Sequence, residues 1–425
     1  MITRNLVLLL SIAPAAWTQV PQLLTLQEAE ALALKNHPAI GAAELSALAS
    51  QERVAQNESV RQPFVTASVT GVAAPEESRI AAGGLNNPII LSRFATGVSV
   101  NQLLLDFGRT SRLIEGSRLA SLAESEKTKA TRADVLLNVQ RAYYTALGTK
   151  TLVNIAKQTI AARQLLVDQV SALVQAQMKS SLDLSIANTN LAEARLLLSA
   201  AENESLSAHA RLAEAVGMSR SVPFELVEEP MPNVEPLSIT ELTERALRER
   251  PEVVAARLEA GSLSSVAAAE RALRFPSVTA SVGAGVIPSR VRDLSSDYAA
   301  AGLNISLPFL NGGLYKARRR EAEFRAQSAQ RRTRQIENSV SREVTVALLD
   351  VNTAAERVTL TRQFIEQASQ ALELAQARYD LGLSSIVELS QAQLVKTNAE
   401  IQNASARYDY QIRRAVLNHR AAVIR

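Results

Sequence analysis

The chain has 425 residues, 46 of them Lys or Arg and 42 Asp or Glu, for a formal net charge of +4. So even a balance supplies no global field for nucleic acid or for an anionic membrane surface. Cysteine is absent, which removes disulfides, thiolate metal sites, cysteine nucleophiles and a lipid-bearing N-terminal cysteine, while 47% apolar and 4% aromatic content is a helix-rich inventory.

Met1-Ile2-Thr3-Arg4, the apolar run from Leu6 to Ala13 and the small-residue site Ala13-Pro14-Ala15 read as a secretory signal over residues 1–15. No later stretch reaches the roughly eighteen consecutive apolar residues of a transmembrane helix.

A first repeat, 16–220, opens with the capping box Thr25-x-x-Glu28. It recurs 213 positions later as Ser238-x-x-Glu241, opening a second repeat, 238–425, after a Pro-rich linker at 221–237. Between them Ala33, Leu34, Pro38, Ala42, Ala43, Leu45 and Ala47 recur as Ala246, Leu247, Pro251, Ala255, Ala256, Leu258 and Ala260. "VTASV" appears at 65–69 and again at 278–282, with Val and Ala alternating against Thr and Ser. This is the period of a strand with one apolar and one wet face. Strands are expected at about 63–74 and 94–104, then at 276–286 and 298–309, joined by polar connections at about 74–93 and 287–297.

Beyond the pentapeptides the spacing becomes 205, pairing Gly97 with Gly302, Gly108 with Gly313 and Ser180-x-x-Asp183 with Ser385-x-x-Glu388. The first copy therefore carries eight extra residues between Gly71 and Gly97. Tracts poor in Pro and Gly predict long helices at about 109–177 and 182–216, and at 314–379 and 386–421. Val387, Leu394, Ile401, Tyr408 and Ala415 follow at sevenfold spacing, as in a coiled-coil seam. The fold class is mainly α with a small β part: a tandem repeat of very long helices plus four strands.

Four such strands have the length to cross a bilayer as a tilted barrel but cannot close, and an open edge in lipid is prohibitive. The chain must oligomerise. Two chains give eight strands with a filled interior, whereas three give twelve and leave room for a lumen lined by the Thr and Ser face.

Three segments mark where strand passes into helix and where helix turns back: Val100-Asn-Gln-Leu-Leu-Leu-Asp-Phe-Gly108-Arg, Ile305-Ser-Leu-Pro-Phe-Leu-Asn-Gly-Gly313 and Tyr379-Asp-Leu-Gly382-Leu-Ser-Ser385-Ile-Val-Glu388-Leu. In their order and spacing the chain resembles the TolC-like outer-membrane efflux factor family, over essentially all of its length beyond the signal. The resemblance implies a homotrimer in outer-membrane lipid, forming a twelve-stranded β-barrel and a twelve-helix periplasmic α-barrel. It also implies docking onto a periplasmic adaptor and an inner-membrane transporter. On that basis Tyr379, Leu381, Gly382, Leu383, Ser384 and Ser385 form the adaptor-contacting tip, from which the first copy departs with Gln177-Met178-Lys179. Asp183 and Glu388 form a periplasmic constriction, with Gln391 standing where relatives carry a second acidic residue. The alternative for Asp183 and Glu388 is helix capping alone, since both lie in a first turn where the dipole favours a carboxylate. Gly382 likewise reads as a left-handed helix cap.

Lys316 to Arg334 holds eight Lys or Arg interleaved with Glu321 and Glu323 and reads as a solvated helix face. His37, His209 and His419 lack metal-ligand spacing. No phosphate loop, hydrolase elbow or acid–base constellation is evident, so no cofactor, metal or enzymatic activity is expected, and any energy for transport comes from a partner. The competing reading is a soluble periplasmic helical scaffold without a pore, which would not need the four alternating segments.

Overall fold

The computed structural model describes residues 22–73, 75, 93–218, 224–231, 237–287 and 295–423. The expected signal at 1–15 lies outside the described residues, as does much of the 221–237 linker. The elements are β1 (Gln22–Leu24), α1 (Leu26–Asn36), α2 (Pro38–Ser59), β2 (Phe64–Val72), β3 (Arg93–Leu105), α3 (Arg109–Gln175), α4 (Ser181–Ala215), β4 (Phe224–Leu226), α5 (Ile239–Glu249), α6 (Pro251–Ala272), β5 (Ser277–Val286), β6 (Asp297–Ser306), α7 (Leu314–Asp380) and α8 (Ile386–Arg420). Corresponding helices of the two copies have equal lengths: 11, 22, 67 and 35 residues.

Each copy starts with a capped helix. The Glu28 amide donates 3.2 Å to the Thr25 hydroxyl, and the Thr25 amide donates 2.9 Å to the Glu28 carboxylate. The Thr25 amide and the Thr25 hydroxyl, which also donates 2.9 Å to that carboxylate, hold the Glu28 carboxyl below its usual range. Pro38 and Pro251 then separate α1 from α2 and α5 from α6. Proline has no amide to donate and disfavours helical backbone in the residue before it, so His37 and Arg250 are extended, at ψ 120 and 125.

Two short strands escaped the sequence reading. β1 and β4 pair in parallel, Gln22 with Phe224 and Leu24 with Leu226, so part of the expected linker is a strand. The buried Tyr143 hydroxyl lies 2.9 Å from the Leu24 carbonyl and 2.7 Å from the Val227 carbonyl, and burial pushes it up to about 12. β6 ends at Ser306, earlier than the expected 309, because Pro308 cannot donate to a ladder.

β2, β3, β5 and β6 form one antiparallel sheet in that order. Paired residues point to the same face, so the register sorts the side chains. Val65 opposes Val100, Val100 opposes Val282, and Val282 opposes Ala301, so Val65, Ala67, Val69, Val98, Val100, Ala280, Val282, Leu303 and Ile305 share one face, while Phe64 and Leu103 near the sheet's end fall on the opposite one. Thr66, Ser99, Gly283 and Ala300, with Asn101, Ser281 and Gly302 beside them, lie on the other. Among the described residues the outer edges of β2 and β6 have no partner strand. No described helix is long and apolar enough to cross a membrane.

The compact units do not follow the repeat. The described residues of Met1–His37, Val135–Glu235 and Asp350–Val416 form one unit, and those of Pro38–Asp134, Pro236–Leu349 and Leu417–Arg425 form the other. Each draws on both copies, because a long helix buries its apolar stripe against neighbours from the other copy as well as its own. In the second unit Ala246, Val253, Val340 and Val344 form one core and Ala267, Ala322 and Ala326 another. Near the first of these, buried His419 bonds Asp134 at 3.0 Å and holds that carboxyl below its usual range.

Candidate functional site

The helical turns at the ends of α3 and α7 close identically. Where α7 ends, the Leu383 amide donates 2.8 Å to the Arg378 carbonyl and the Gly382 amide donates 3.0 Å to that of Tyr379. Where α3 ends, the Met178 amide donates 2.8 Å to Leu173 and the Gln177 amide 2.9 Å to Val174. Gly382 sits at φ 75 and Gln177 at φ 59, so the non-glycine residue adopts the left-handed backbone that this closure requires. The expected departure of the first copy is therefore one of residue type and not of geometry.

A side chain at Gly382 would meet nothing within 4 Å, which leaves only the backbone cost of a left-handed residue. That cost is about 1 kcal/mol. Gln177→Gly is expected to stabilise its turn by up to about 1 kcal/mol and Gly382→Ala to destabilise its own by a similar amount. Hydrogen exchange at the Met178 and Leu383 amides checks both, and equal protection in parent and variants would remove the strain argument.

The returning helices begin with unequal caps. The Ser180 hydroxyl accepts from the Leu182 amide at 3.1 Å, and half-buried Asp183 turns back to the Ser180 amide at 3.4 Å. The Ser385 hydroxyl accepts from the Glu388 amide at 3.4 Å, but the Glu388 carboxylate reaches across the turn to Arg378, 3.3 Å away. Leu173 stands at the position equivalent to Arg378, so the first copy has no guanidinium at that place. Gln391 is exposed.

Beneath the turns Leu166, Val170, Ala375, Tyr379, Ile386 and Leu389 form a core. Tyr379, expected on the tip surface, is 4% exposed. It supports the turn from inside, with the Lys179 ammonium 4.4 Å from its ring centroid. Burial first, then the charges of Asp183 and Asp380, push its hydroxyl up. Ser384 is half-buried, whereas Leu381, Gly382, Leu383 and Ser385 are exposed.

Sequence reasoning missed the apolar tip of the first copy. Met178 is 71% exposed and its equivalent Leu383 67%, and Leu182 and its equivalent Val387 are exposed too. The spacing of 205 carried that signal. Val387 and Leu394, the first two positions of the expected heptad, are exposed, while Tyr408 and Ala415 are buried.

Two of the histidines bond single partners: His209 Nδ1 lies 2.7 Å from the Ser205 carbonyl, and His419 faces Asp134. Among the described residues no group of three or more His, Asp or Glu is placed to hold a metal ion.

Residues 31–218 and 242–420 match the family described as outer membrane efflux protein. The outer membrane protein OprJ of Pseudomonas aeruginosa is 25% identical over 362 residues, covering 82% of this chain and 73% of that one. The cation efflux system protein CusC of Escherichia coli is 24% identical over 320 residues, 72% and 68% of the two chains. A solved CusC structure superposes with a TM-score of 0.82 at 20% identity, covering 93% of this chain and 91% of its own. A membrane protein from Pseudomonas aeruginosa does so with the same TM-score at 22% identity, covering 93% of each.

Proposed function

Because the chain belongs to the outer membrane efflux protein family, we propose that it is one third of a passive outer-membrane channel in a tripartite efflux or secretion system. Its lumen takes cargo from an inner-membrane transporter by way of a periplasmic adaptor. The observation that carries this reading is the four-stranded sheet with its two faces sorted and both edges open. Lipid tolerates neither open edge, and three copies make the smallest closed wall with a lumen. The Ser, Thr and Asn face turned inward gives a wet and weakly selective duct, so choice of cargo falls to the transporter.

The internal repeat supplies a template for how copies join. Within the chain β3 pairs with β5, Val100 opposite Val282 and Asn101 opposite Ser281. The same step of the repeat sets Ile305 opposite Val69 of the next copy and Ser306 opposite Ser68, apolar on apolar and polar on polar. Below the strands, the Ser262 hydroxyl of α6 donates 2.7 Å to the Gly116 carbonyl of α3, and Leu119 lies against Gly261. That step carries Leu119 to Phe324 on α7 and Gly261 to Leu48 on α2. Both are exposed in the single chain, 66% and 55%.

Leu48→Cys with Phe324→Cys tests this in a chain that has no other thiol. A short bis-maleimide added to the protein in outer membranes should give covalent dimers and trimers in the doubly substituted protein and little in either single variant. Monomer alone, from protein that sediments as a trimer, would discard the register; recovery as a monomer from a soluble fraction would discard the channel.

The constriction is proposed at Asp183 and Glu388, and the adaptor contact at Leu381, Gly382, Leu383 and Ser385 with Met178 and Leu182 from the first copy. The exposed apolar side chains at both turns support an apolar docking surface there.

A further inference from the structure

The two copies join their helices with the same bonds in the same places. The Thr128 hydroxyl of α3 donates 3.1 Å to the Ala43 carbonyl of α2, and the equivalent Thr333 hydroxyl of α7 donates 3.1 Å to the Ala256 carbonyl of α6. Two ion pairs fall at equivalent positions in both copies. Arg118 and Arg132 of α3 meet Glu58 and Glu44 of α2, both at 2.6 Å. At the equivalent positions Glu323 and Glu337 of α7 meet Arg271 and Arg257 of α6, at 2.9 and 2.7 Å. At these two positions both partnerships are kept and both signs are reversed; a third pair of the second copy, Arg318 with Glu270 at 2.9 Å, has Leu113 and Asn57 at the equivalent places in the first.

Stability does not require the reversal. All four pairs are substantially solvent-exposed and contribute little individually, and they would contribute as much if both copies had the same polarity. What the reversal changes is the energy of the wrong partner. The helices have equal lengths and recurring apolar positions, so α2 fits the groove of α7 nearly as well as that of α3. Seated there in the native manner, Glu58 would face Glu323 and Glu44 would face Glu337. Correspondingly, α6 on α3 would set Arg271 against Arg118 and Arg257 against Arg132. All four attractive contacts become repulsive.

We infer that the reversed ion pairs are a partner-selecting device, which keeps α2 on α3 and α6 on α7 while a duplicated chain folds and assembles among copies of itself. Discrimination between near-identical partners comes from penalising the wrong one, and paired like charges supply that penalty. The inference concerns the pairing of the helices and stands whether or not the assembly is a channel.

The test exchanges signs without changing composition. Arg257→Glu, Arg271→Glu, Glu323→Arg and Glu337→Arg together retain both ion pairs of the second copy but give it the polarity of the first. Adding Glu44→Arg, Glu58→Arg, Arg118→Glu and Arg132→Glu restores opposite polarity in the mirrored sense. Parent, fourfold and eightfold chains each carry Ala43→Cys and Thr333→Cys, which a short bis-maleimide links when α2 takes the place of α6 against the Thr333 face of α7, the face that natively bonds Ala256. All are refolded at full length from urea into detergent. The linked fraction is expected to rise at least about tenfold in the fourfold chain, since four weak contacts change sign together. It should return to the parental level in the eightfold chain. A fourfold chain that links and refolds like the parent overturns the inference, as does an eightfold chain that mispairs as much as the fourfold one. If the fourfold chain yields no refolded protein, recovery by the eightfold chain supports the device and its failure overturns it.

Discussion

Val282→Lys is expected to prevent stable assembly in the outer membrane, whereas Ser281→Lys, one residue earlier on the same strand, leaves it largely intact. Val282 lies at the middle of β5, opposite Val100 on one side and Ala301 on the other, within the apolar face. A lysine turned to lipid near the bilayer midplane costs about 2–4 kcal/mol per chain. Every copy in the assembly bears that cost. Ser281 points the other way, where its hydroxyl donates 2.8 Å to the Asn101 side chain, and a lysine there reaches water in the lumen. The readouts are the amount of protein in outer-membrane fractions and the resistance of the oligomer to detergent. Equal assembly of the two variants would void the assignment of faces, and damage confined to Ser281→Lys would invert it.

That prediction rests on an alternation readable from five residues, because a strand's period of two is local. The capping boxes were legible for the same reason: Thr25 and Glu28, or Ser180 and Asp183, are three residues apart and complete their bonds within one turn. The long helices were legible from the scarcity of Pro and Gly. Contacts made across the fold were not. Nothing near Gln22 or Phe224 announces that three residues at each place form a parallel pair, since their partners are about 200 positions apart. Pro38 and Pro251 were in view, yet nothing in the sequence alone says whether they begin a helix or lie within one. Proline is tolerated in a helix's first turn, and only the extended backbone of His37 and Arg250 shows that a second helix starts there. Tyr379 was misplaced because a turn motif names its residues without saying which of them face the core. At the candidate constriction the type of the acidic residues was legible, but their counter-charge was not: Arg378 precedes Glu388 by ten residues and reaches it only through the turn geometry.

Arg378 makes the proposed constriction testable in both directions. Its pair with Glu388 has both side chains about half exposed, so it is worth no more than about 1 kcal/mol and partly masks that carboxylate. Asp183, with leucine in the corresponding place, is not masked in this way. If these groups line the narrow end of a trimer, the carboxylates outnumber the guanidiniums two to one and the parent channel should prefer cations. Asp183→Asn with Glu388→Gln should remove that preference, and Arg378→Gln alone should strengthen it. Reversal potentials across a planar bilayer under a salt gradient measure both shifts, which must have opposite signs. A role limited to capping predicts something else: about 1 kcal/mol or less of helix stability lost on Asp183→Asn, because an asparagine still caps, and no change in reversal potential for any variant. Three equal reversal potentials would therefore leave Asp183 and Glu388 as caps. Parallel shifts in the two variants would place Arg378 elsewhere than beside the ion path.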